Sequence, residues 1–231
     1  MSSAEIATCK QQVIDAARFI LESGVMSISS HGNFSARVPG TDTFLLTAGG
    51  SFADLTPDDI ALFKLDGALL DGAVEPTSAE IVGMHGVVYR LQPDMGGAVH
   101  THSPMATSFA VAGQPISLIY EALARFNMTD GVPLAAYGPR GSQESVENIA
   151  KAIESHPNTG GVLLANHGVL AFGKDPMAAA RANIIIEEAA ILGINARIIG
   201  EAMPIPSHMV EYTQRRRDEF AETGVQRADS D

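Results

Sequence analysis

The pattern of apolar and polar positions divides the first part of the chain into one helix and two short strands. Apolar residues recur near helical spacing over residues 4–22, which predicts a helix, and Gly24 directly after them is a typical stop signal. The next stretch is dense in Gly, Ser and Thr and contains β-type runs at residues 34–38 and 43–46. Such glycine content indicates sharp turns or close approach of the backbone to a ligand.

Short apolar strands alternate with helices along the rest of the chain. Thr56 and Pro57 predict a short helical turn, and the Asp66-Gly67 pair predicts a hairpin. In the segment "GVLLANHGVLAFGKD", the residues Asn-His-Gly at 166–168 separate two apolar strands. The other predicted elements are a helix from Thr77 or Ser78 to about 91, a strand at 97–102, a helix from Met105 and a long helix at 178–199.

This irregular order of strands and helices, with several hairpins, indicates the fold class. It favours a layered α/β domain with a largely antiparallel sheet over a doubly wound parallel sheet. The 231 residues contain no internal repeat, linker or low-complexity block, so we predict a single domain over residues 1–231. The polar sequence from about residue 221 onward predicts a frayed C-terminal tail.

Composition and charge exclude several classes of partner. The chain carries 15 Lys and Arg against 27 Asp and Glu, a formal charge of -12, which disfavours nucleic acid because its binders present a basic surface. The chain contains no run of about 18 apolar residues, which argues against a membrane-spanning helix. Cys9 is the only cysteine and the N-terminus does not read as a secretory signal. We therefore expect a cytoplasmic protein that acts on a small molecule, with neither nucleic acid nor membrane as its partner.

The sequence "AVHTHSP" places His100 and His102 two residues apart at the end of a predicted strand. Residues i and i+2 of a strand point to the same face, so a single cation fits between the two imidazole rings. The alternative is a pair of structural histidines, each hydrogen-bonded within the core. Pro104, which stops the strand, adds weight to the ligand hypothesis.

His167 strengthens the metal hypothesis, because it interrupts an apolar strand for no evident packing reason. Three imidazoles without a cysteine suit Zn²⁺, Mn²⁺, Fe²⁺ or Co²⁺ with one coordination position left open for substrate. A closed structural site more often uses thiolates. The residues therefore favour one catalytic divalent metal ion per chain.

These motifs resemble the class II aldolase/adducin family. The resemblance rests on "EPTSAEIVGMHGVVYRLQPDMGGAVHTHSP", followed by "LLANHG" and preceded by "HGNFSAR" and "LLTAGG", and it extends from about residue 4 to about residue 200. It implies a three-layer α/β/α fold around a central, mainly antiparallel sheet, and a homotetramer with active sites at subunit interfaces. It also implies that His100, His102 and His167 hold the metal ion.

A carboxylate is needed beside such a metal to move protons or to take the open metal position. In the family, an acidic residue ends a Pro-Ser-Ser-acid motif. Here residues 76–80 read Pro-Thr-Ser-Ala-Glu, so the resemblance assigns the role to Glu80 with a shift of one residue. Counting back from His85, which also resembles a family position, gives the same displacement. The alternative for Glu80 is stabilisation of a helix dipole, worth about 0.3–1 kcal/mol.

Three further residues are candidates at the same site. Tyr120 resembles a family tyrosine that reaches the neighbouring subunit and donates a proton, although an aromatic residue packed in an interface is an equal alternative. Arg140, between a proline and a glycine, either holds a substrate carboxylate through a bidentate fork or braces its loop. The same two interpretations apply to Arg125.

The predicted anion-binding residues depart from the pattern of the sugar-phosphate aldolases in this family. Asn33 matches, but Gly49 stands where a threonine is common, and an alanine follows Ser78 in place of a second serine. Each lost donor to a charged oxygen weakens binding by about 1.5–3 kcal/mol. Backbone N–H groups at Gly32, Gly49 and Gly50 still suit a smaller anion, and His31 near this loop is a further candidate for substrate contact. The alternative is that these glycines serve only the geometry of the turns, which accounts well for Gly50. This pattern favours a non-phosphorylated substrate.

The sequence therefore predicts a metal-dependent carbon–carbon lyase. A decarboxylase of a hydroxy-aromatic dicarboxylate or oxo acid is placed slightly ahead of an aldolase that cleaves a hydroxy-keto acid or sugar (phosphate). Both reactions need a metal to stabilise the charge left on carbon. A sugar-phosphate epimerase and a non-catalytic, adducin-like assembly module are the remaining alternatives; the second gives no reason to retain three histidines and an acid.

Overall fold

The computed structural model describes residues 2–49 and 51–223, and this part of the chain forms eight α-helices and eight β-strands. The helices are α1 (Ser3–Ser23), α2 (Pro76–Ala79), α3 (Val82–Leu91), α4 (Pro104–Val111), α5 (Glu121–Arg125), α6 (Gln143–Ser155), α7 (Pro176–Ile199) and α8 (Ser207–Thr223). The strands are β1 (Gly32–Arg37), β2 (Thr43–Thr47), β3 (Ile60–Lys64), β4 (Leu69–Asp71), β5 (Gly97–Thr101), β6 (Leu134–Ala135), β7 (Gly161–Leu164) and β8 (Gly168–Gly173).

All eight strands belong to one sheet with the order β4-β3-β2-β1-β5-β8-β7-β6. Within the described residues, neighbouring strands are antiparallel except for β6 and β7, which are parallel. The central strand β5 lies between β1 and β8, so it is buried on both edges. The predicted α/β class with a mainly antiparallel sheet is confirmed.

Helices cover both faces of the sheet and give the three predicted layers. One apolar cluster joins α3 and α6 to side chains such as Phe44, Ala98 and Leu170. The alternate residues of the same strands, among them Leu45 and Val99, pack against α1 and α7 on the opposite face. A third cluster adds α4 to the α7 side. Alternation of side chains between the two faces of each strand produces this division.

Local sequence signals account for most element boundaries. Ser2 and Glu5 form a capping box at the start of α1, and Gly24 ends that helix at a φ of 74°. The hairpin predicted at Asp66-Gly67 joins β3 and β4, with Gly67 at a φ of 100°. The short helical turn follows Thr56 as predicted, since Pro57–Asp59 forms one 3₁₀ turn.

One helix prediction was wrong in part. The segment from Thr77 or Ser78 to Leu91 is not one continuous helix, because α2 ends at Ala79 and α3 begins at Val82. The Ile81 N–H bonds to the carbonyl of Ser78, three residues back, which tightens the backbone into a turn. Glu80 lies in this turn and not on the first turn of a helix.

The structure also contains α5, α6 and β6, which the sequence pattern did not indicate. The tail predicted from about residue 221 lies outside the described residues except for the last three residues of α8. Gly50, one of the predicted anion-binding residues, lies outside them as well. Within the described part of the chain, no helix has the length and hydropathy needed to cross a membrane.

Candidate metal centre

Two neighbouring strands bring the three predicted ligands together. His100 lies in β5 and His102 follows the end of that strand, while His167 occupies the turn that joins β7 to β8. This turn is tight, because Leu164 pairs with Gly168 across the hairpin and Asn166 adopts a φ of 57°. The polar residues that interrupt the apolar run therefore form a hairpin loop beside the end of β5.

The three rings converge closely enough for a single ion. The ring centroids of His100, His102 and His167 are 4.7 to 5.1 Å apart, and one ligand nitrogen from each lies within 4.8 Å of the others. His100 is buried, whereas the other two are partly exposed. The site is thus closed on the β5 side and accessible from the other.

The hydrogen bonds and burial of these rings suit metal binding. Nδ1 of His100 lies 2.9 Å from the Val169 carbonyl, so it carries the proton and leaves Nε2 with its lone pair free. Burial lowers the pKa of all three histidines; for His102 it falls to about 4, with further contributions from His167, His31 and Arg140. Neutral imidazoles, which bind metal ions, are therefore the favoured form.

Gly168 allows the two strands to approach each other at this point. A Cβ atom at Gly168 would lie 2.5 Å from the Thr101 carbonyl oxygen and 2.9 Å from Cδ2 of His102. No larger residue fits there without moving the segment that carries Thr101 and His102. The glycine that follows His167 thus has a packing role in the site.

Helix α7 fixes the segment around His102, a contribution that sequence reasoning missed. Asn183 accepts a hydrogen bond from Thr101 at 2.8 Å and donates one to Ser103 at 2.9 Å. The Glu187 carboxylate accepts from the backbone N–H groups of Met105 and Ala106 at the start of α4. Both side chains are buried. Two polar residues on an otherwise apolar stretch of helix were the available signal.

Arg140 connects the predicted acid to the histidines. Its positive charge contributes to the lowered pKa values of His102 and His167, so it lies near both. Nε of Arg140 lies 3.2 Å from Oε2 of Glu80, and a second guanidinium nitrogen donates to the Thr77 carbonyl. Both partners of this ion pair are about half exposed. Glu80 is therefore held on Arg140, and it is not part of the cluster of ligand atoms.

Two of the predicted substrate-binding residues lie beside the cluster. The ring of His31 stacks on His102 at a centroid distance of 6.1 Å. Asn33 in β1 is the direct cross-strand partner of His100, so both side chains project from the same face of the sheet. Oδ1 of Asn33 lies 2.5 Å from Nε2 of the buried His85.

The predicted anion loop is covered by a carboxylate. Glu75 donates its backbone N–H to the carbonyl of Ala48, and its side chain lies across Gly49, where a Cβ atom would be 2.7 Å from Oε1. A negative charge on this surface disfavours a phosphate dianion. Ser78 is half-buried one turn further along the chain.

The remaining two candidates have other contacts within the single chain. Arg125 forms an exposed ion pair with Glu121 at 2.7 Å. The Tyr120 hydroxyl lies 3.5 Å from Oε2 of Glu188. Neither contact joins these residues to the histidines, so the interpretation of Tyr120 as a residue that acts in a neighbouring subunit stays a prediction.

A groove of about 830 Å³ leads to the exposed side of the cluster. It reaches His102 and His167. Most of its surface is apolar and comes from side chains such as Ile28, Pro104 and Val111, and hydroxyl groups are also present in its lining, at Ser27, Ser29, Thr107 and Ser108. A smaller and more polar pocket of about 380 Å³ next to it contains His31, Gly32, Ser30 and Ser51, and Ser29 lines both cavities.

Comparison with known proteins gives consistent results. The sequence profile described as "Class II Aldolase and Adducin N-terminal domain" matches residues 11–193. The chain is 31% identical to an L-ribulose-5-phosphate 4-epimerase, UlaF, of Salmonella paratyphi C over 211 residues, which covers 87% of this chain and 91% of the relative. It is 32% identical to a 5-methylthioribulose-1-phosphate/5-deoxyribulose-1-phosphate aldolase of Rhodospirillum rubrum, with 77% and 76% covered.

Solved structures of class II aldolases have a similar fold. An L-fuculose 1-phosphate aldolase structure superposes with a TM-score of 0.83 at 25% sequence identity, and the match covers 95% of this chain and 98% of the other. A second structure, the L-fuculose-1-phosphate aldolase of Thermus thermophilus, matches with a TM-score of 0.69 at 24% identity, covering 88% and 100%.

Proposed function

The chain belongs to the class II aldolase and adducin family, and we propose that it is a divalent-metal-dependent carbon–carbon lyase that cleaves a ketose phosphate with an apolar end. The observation that carries the proposal is the cluster of His100, His102 and His167 at the end of an apolar groove. The curated relatives act, by name, on ribulose phosphates, and one of them takes 5-methylthio and 5-deoxy forms.

The residues present fit a divalent ion. Three neutral imidazoles that converge within 4.8 Å and open on one side match the ligand number of a catalytic zinc site, and Mn²⁺, Fe²⁺ and Co²⁺ also accept imidazole. The hydrogen bond from His100 to Val169 orients the ring as a ligand requires. The ion supplies a Lewis acid that stabilises the negative charge left on carbon when the bond breaks.

The side chains of this protein bind and orient the substrate and transfer its protons. We assign to Glu80 the removal of the proton from the substrate hydroxyl whose carbon becomes the aldehyde, and to Tyr120 of a neighbouring subunit the return of a proton. The ion pair with Arg140 holds the Glu80 carboxylate in place. We assign to Asn33 and His31, which lie beside the histidine cluster, contact with the polar part of the substrate.

The apolar groove supports the choice among ketose phosphates. Most of the groove surface is apolar, although Ser27, Ser29, Thr107 and Ser108 also line it. An additional hydroxyl placed against Ile28, Pro104 or Val111 loses its contacts with water. A deoxy or methylthio end gains free energy from the same burial. We therefore place a substrate with an apolar end ahead of a fully hydroxylated one.

A decarboxylase of a non-phosphorylated hydroxy-aromatic or oxo acid is the second candidate, and sequence analysis had placed it first. Two observations favour it. Arg140 provides a cation for a substrate carboxylate near the histidines, and Glu75 over Gly49 disfavours a phosphate in the predicted anion loop. The names of the curated relatives favour a reaction on a sugar phosphate instead, epimerisation in one case and aldol cleavage in the other.

Other parts of the proposal follow from the family. We propose a single-domain protein that assembles as a homotetramer with active sites at subunit interfaces and works in the cytoplasm. An epimerase would use the same site without releasing an aldehyde, and an adducin-like module would bind no substrate.

The test incubates the metal-loaded protein with 5-deoxyribulose 1-phosphate, ribulose 5-phosphate and a hydroxylated benzene dicarboxylate. Aldehyde and carbon dioxide are both measured, with His167→Ala as the matched control. Aldehyde from the deoxy substrate, absent in His167→Ala, is expected. Carbon dioxide from the dicarboxylate without aldehyde would select the second candidate. Inversion of ribulose 5-phosphate without cleavage would identify an epimerase.

A further inference from the structure

A chain of buried polar groups runs from the core of the domain to the histidine cluster. The hydroxyl groups of Tyr89 and Ser35 lie 2.6 Å apart, and Ser35 Oγ lies 2.6 Å from Nδ1 of His85. Nε2 of His85 then lies 2.5 Å from Oδ1 of Asn33. Tyr89, Ser35 and His85 are at most 1% exposed, so water does not compete for these contacts.

The group at the end of this chain fixes its direction, because Oδ1 of Asn33 can only accept a hydrogen bond from Nε2 of His85. Burial lowers the pKa of His85 to about 3 and raises the pKa of Tyr89 above its usual range, so the imidazole is neutral and the phenol is protonated. Tyr89, Ser35 and His85 then hold one proton each for the three contacts. Because the proton of the neutral His85 ring is on Nε2, its Nδ1 accepts from Ser35, and Ser35 in turn accepts from Tyr89. The Ala98 carbonyl, 3.4 Å from Ser35 Oγ, is a second and longer acceptor.

This direction determines which end of the Asn33 amide faces the ligand. Its oxygen is engaged by His85, so its NH₂ group is directed away from His85. Asn33 lies directly opposite His100 on β1 and β5, and it is 7% exposed. Two N–H donors are therefore presented beside the histidine cluster at a fixed angle.

We propose that His85 is a positioning residue that holds Asn33 as an N–H donor to an anionic oxygen of the substrate, and that Tyr89 and Ser35 set the required tautomer of His85. A phosphate and a carboxylate both offer such an oxygen. With the opposite tautomer, Nε2 of His85 would accept from the amide NH₂, and the Asn33 oxygen would face and repel the anion. This role of His85 rests on the proposed function, because it concerns the same site.

The tautomer is measured first, without any substrate. Long-range ¹H–¹⁵N spectra of histidine-labelled protein report which nitrogen of each ring carries the proton, and loss of one signal set in His85→Gln assigns that residue. The expected result is the Nε2–H form of His85. The Nδ1–H form would overturn the inference and would leave any measured turnover untouched. Absence of turnover would in turn leave the tautomer result standing.

Binding of two simple anions then tests the role of the amide. Inorganic phosphate and acetate are titrated into the zinc-loaded protein by calorimetry. Asn33→Asp keeps an acceptor for His85 but turns a negative oxygen toward the ligand, so the dissociation constant of the preferred anion should rise about 10-fold or more. The anion whose binding weakens shows whether the substrate oxygen belongs to a phosphate or to a carboxylate. The control His208→Gln, at an exposed position, should leave the dissociation constants of both anions unchanged.

The role of the chain of buried polar groups from Tyr89 through Ser35 to His85, here called the relay, is tested by removing and then restoring the N–H donor at residue 85. His85→Leu removes both nitrogens, and the anion should bind several-fold more weakly; His85→Gln restores an N–H near the Nε2 position and should recover binding to within about threefold. Equal binding by wild type, His85→Leu and Asn33→Asp would overturn the proposal, as would the absence of binding of either anion to the wild type. If His85→Leu does not fold, Tyr89→Phe interrupts the relay at its far end, and it should shift His85 away from the pure Nε2–H form.

Discussion

Removal of the Glu187 carboxylate is the sharpest test of how the fold supports the histidine site. This side chain is 4% exposed and accepts hydrogen bonds from the backbone N–H groups of Met105 and Ala106 at 2.9 and 2.8 Å. These are two of the N–H groups at the start of α4 that have no partner within the helix. Glu187→Ala leaves the Ala106 N–H buried and the Met105 N–H partly buried, beside an empty volume.

The magnitude follows from the two donors. An unsatisfied buried N–H group costs about 1–3 kcal/mol and a partly buried one costs less, so Glu187→Ala should lower the free energy of unfolding by roughly 1.5–4 kcal/mol. Glu187→Gln retains one acceptor, and burial already raises the pKa of the Glu187 carboxyl group, which shows that its charge is penalised. The glutamine variant should therefore lose less, about 0.5–2 kcal/mol.

Urea denaturation of the metal-free protein measures this change through the midpoint at constant slope. With a slope of about 2–3 kcal/mol per molar urea, the alanine variant should unfold about 1 M earlier. The affinity for zinc, measured by competition with a chelator, should fall about 10-fold or more because His102 loses the support of the adjacent helix start. Glu188→Ala, exposed at the next position, is the control and should change stability by less than about 0.5 kcal/mol. An unchanged midpoint and unchanged zinc affinity in Glu187→Ala would refute the reasoning.

Two further substitutions test the packing around the cluster. Gly168→Ala introduces a methyl group 2.5 Å from the Thr101 carbonyl and 2.9 Å from the His102 ring, so zinc affinity should fall at least 10-fold, whereas Gly200→Ala, which meets no atom within 4 Å, should not affect it. Thr107→Val removes a buried hydroxyl that has no hydrogen-bond partner in the described structure. Its free energy of unfolding should rise by about 1 kcal/mol, with a melting temperature about 2–4 °C higher; a lower melting temperature would show that the hydroxyl has a partner.

The fold was largely predictable because hydrophobic periodicity and turn residues in the sequence indicate most of its strands and helices. Strand β5 reads as an apolar run that ends in His-x-His, and Asp66-Gly67 and Asn166 mark hairpins whose backbone needs a left-handed residue. The break between α2 and α3 was not predictable, because residues 77–91 have a continuous helical pattern. The break is seen only in the folded structure, where Ile81 bonds three residues back to Ser78.

In the candidate site, too, the features set by local sequence patterns were predictable and those set by tertiary packing were not. The histidines share one face of neighbouring strands, so their convergence follows from the period of two in β5 and the hairpin at His167. The pairing of Glu80 with Arg140 joins residues 60 positions apart and depends on how two loops pack. Asn183 and Glu187 were missed for a related reason, since hydrophobic periodicity assigns the helix but not the partners of its buried polar residues.

The content of divalent metal per chain tests the central claim most directly. The purified protein, stripped and then titrated with zinc, should bind one ion per chain, and His100→Ala and His167→Ala should each lose that binding while they retain the circular dichroism spectrum of the wild type. Zinc binding of equal stoichiometry and affinity in the wild type and in both alanine variants would contradict the account.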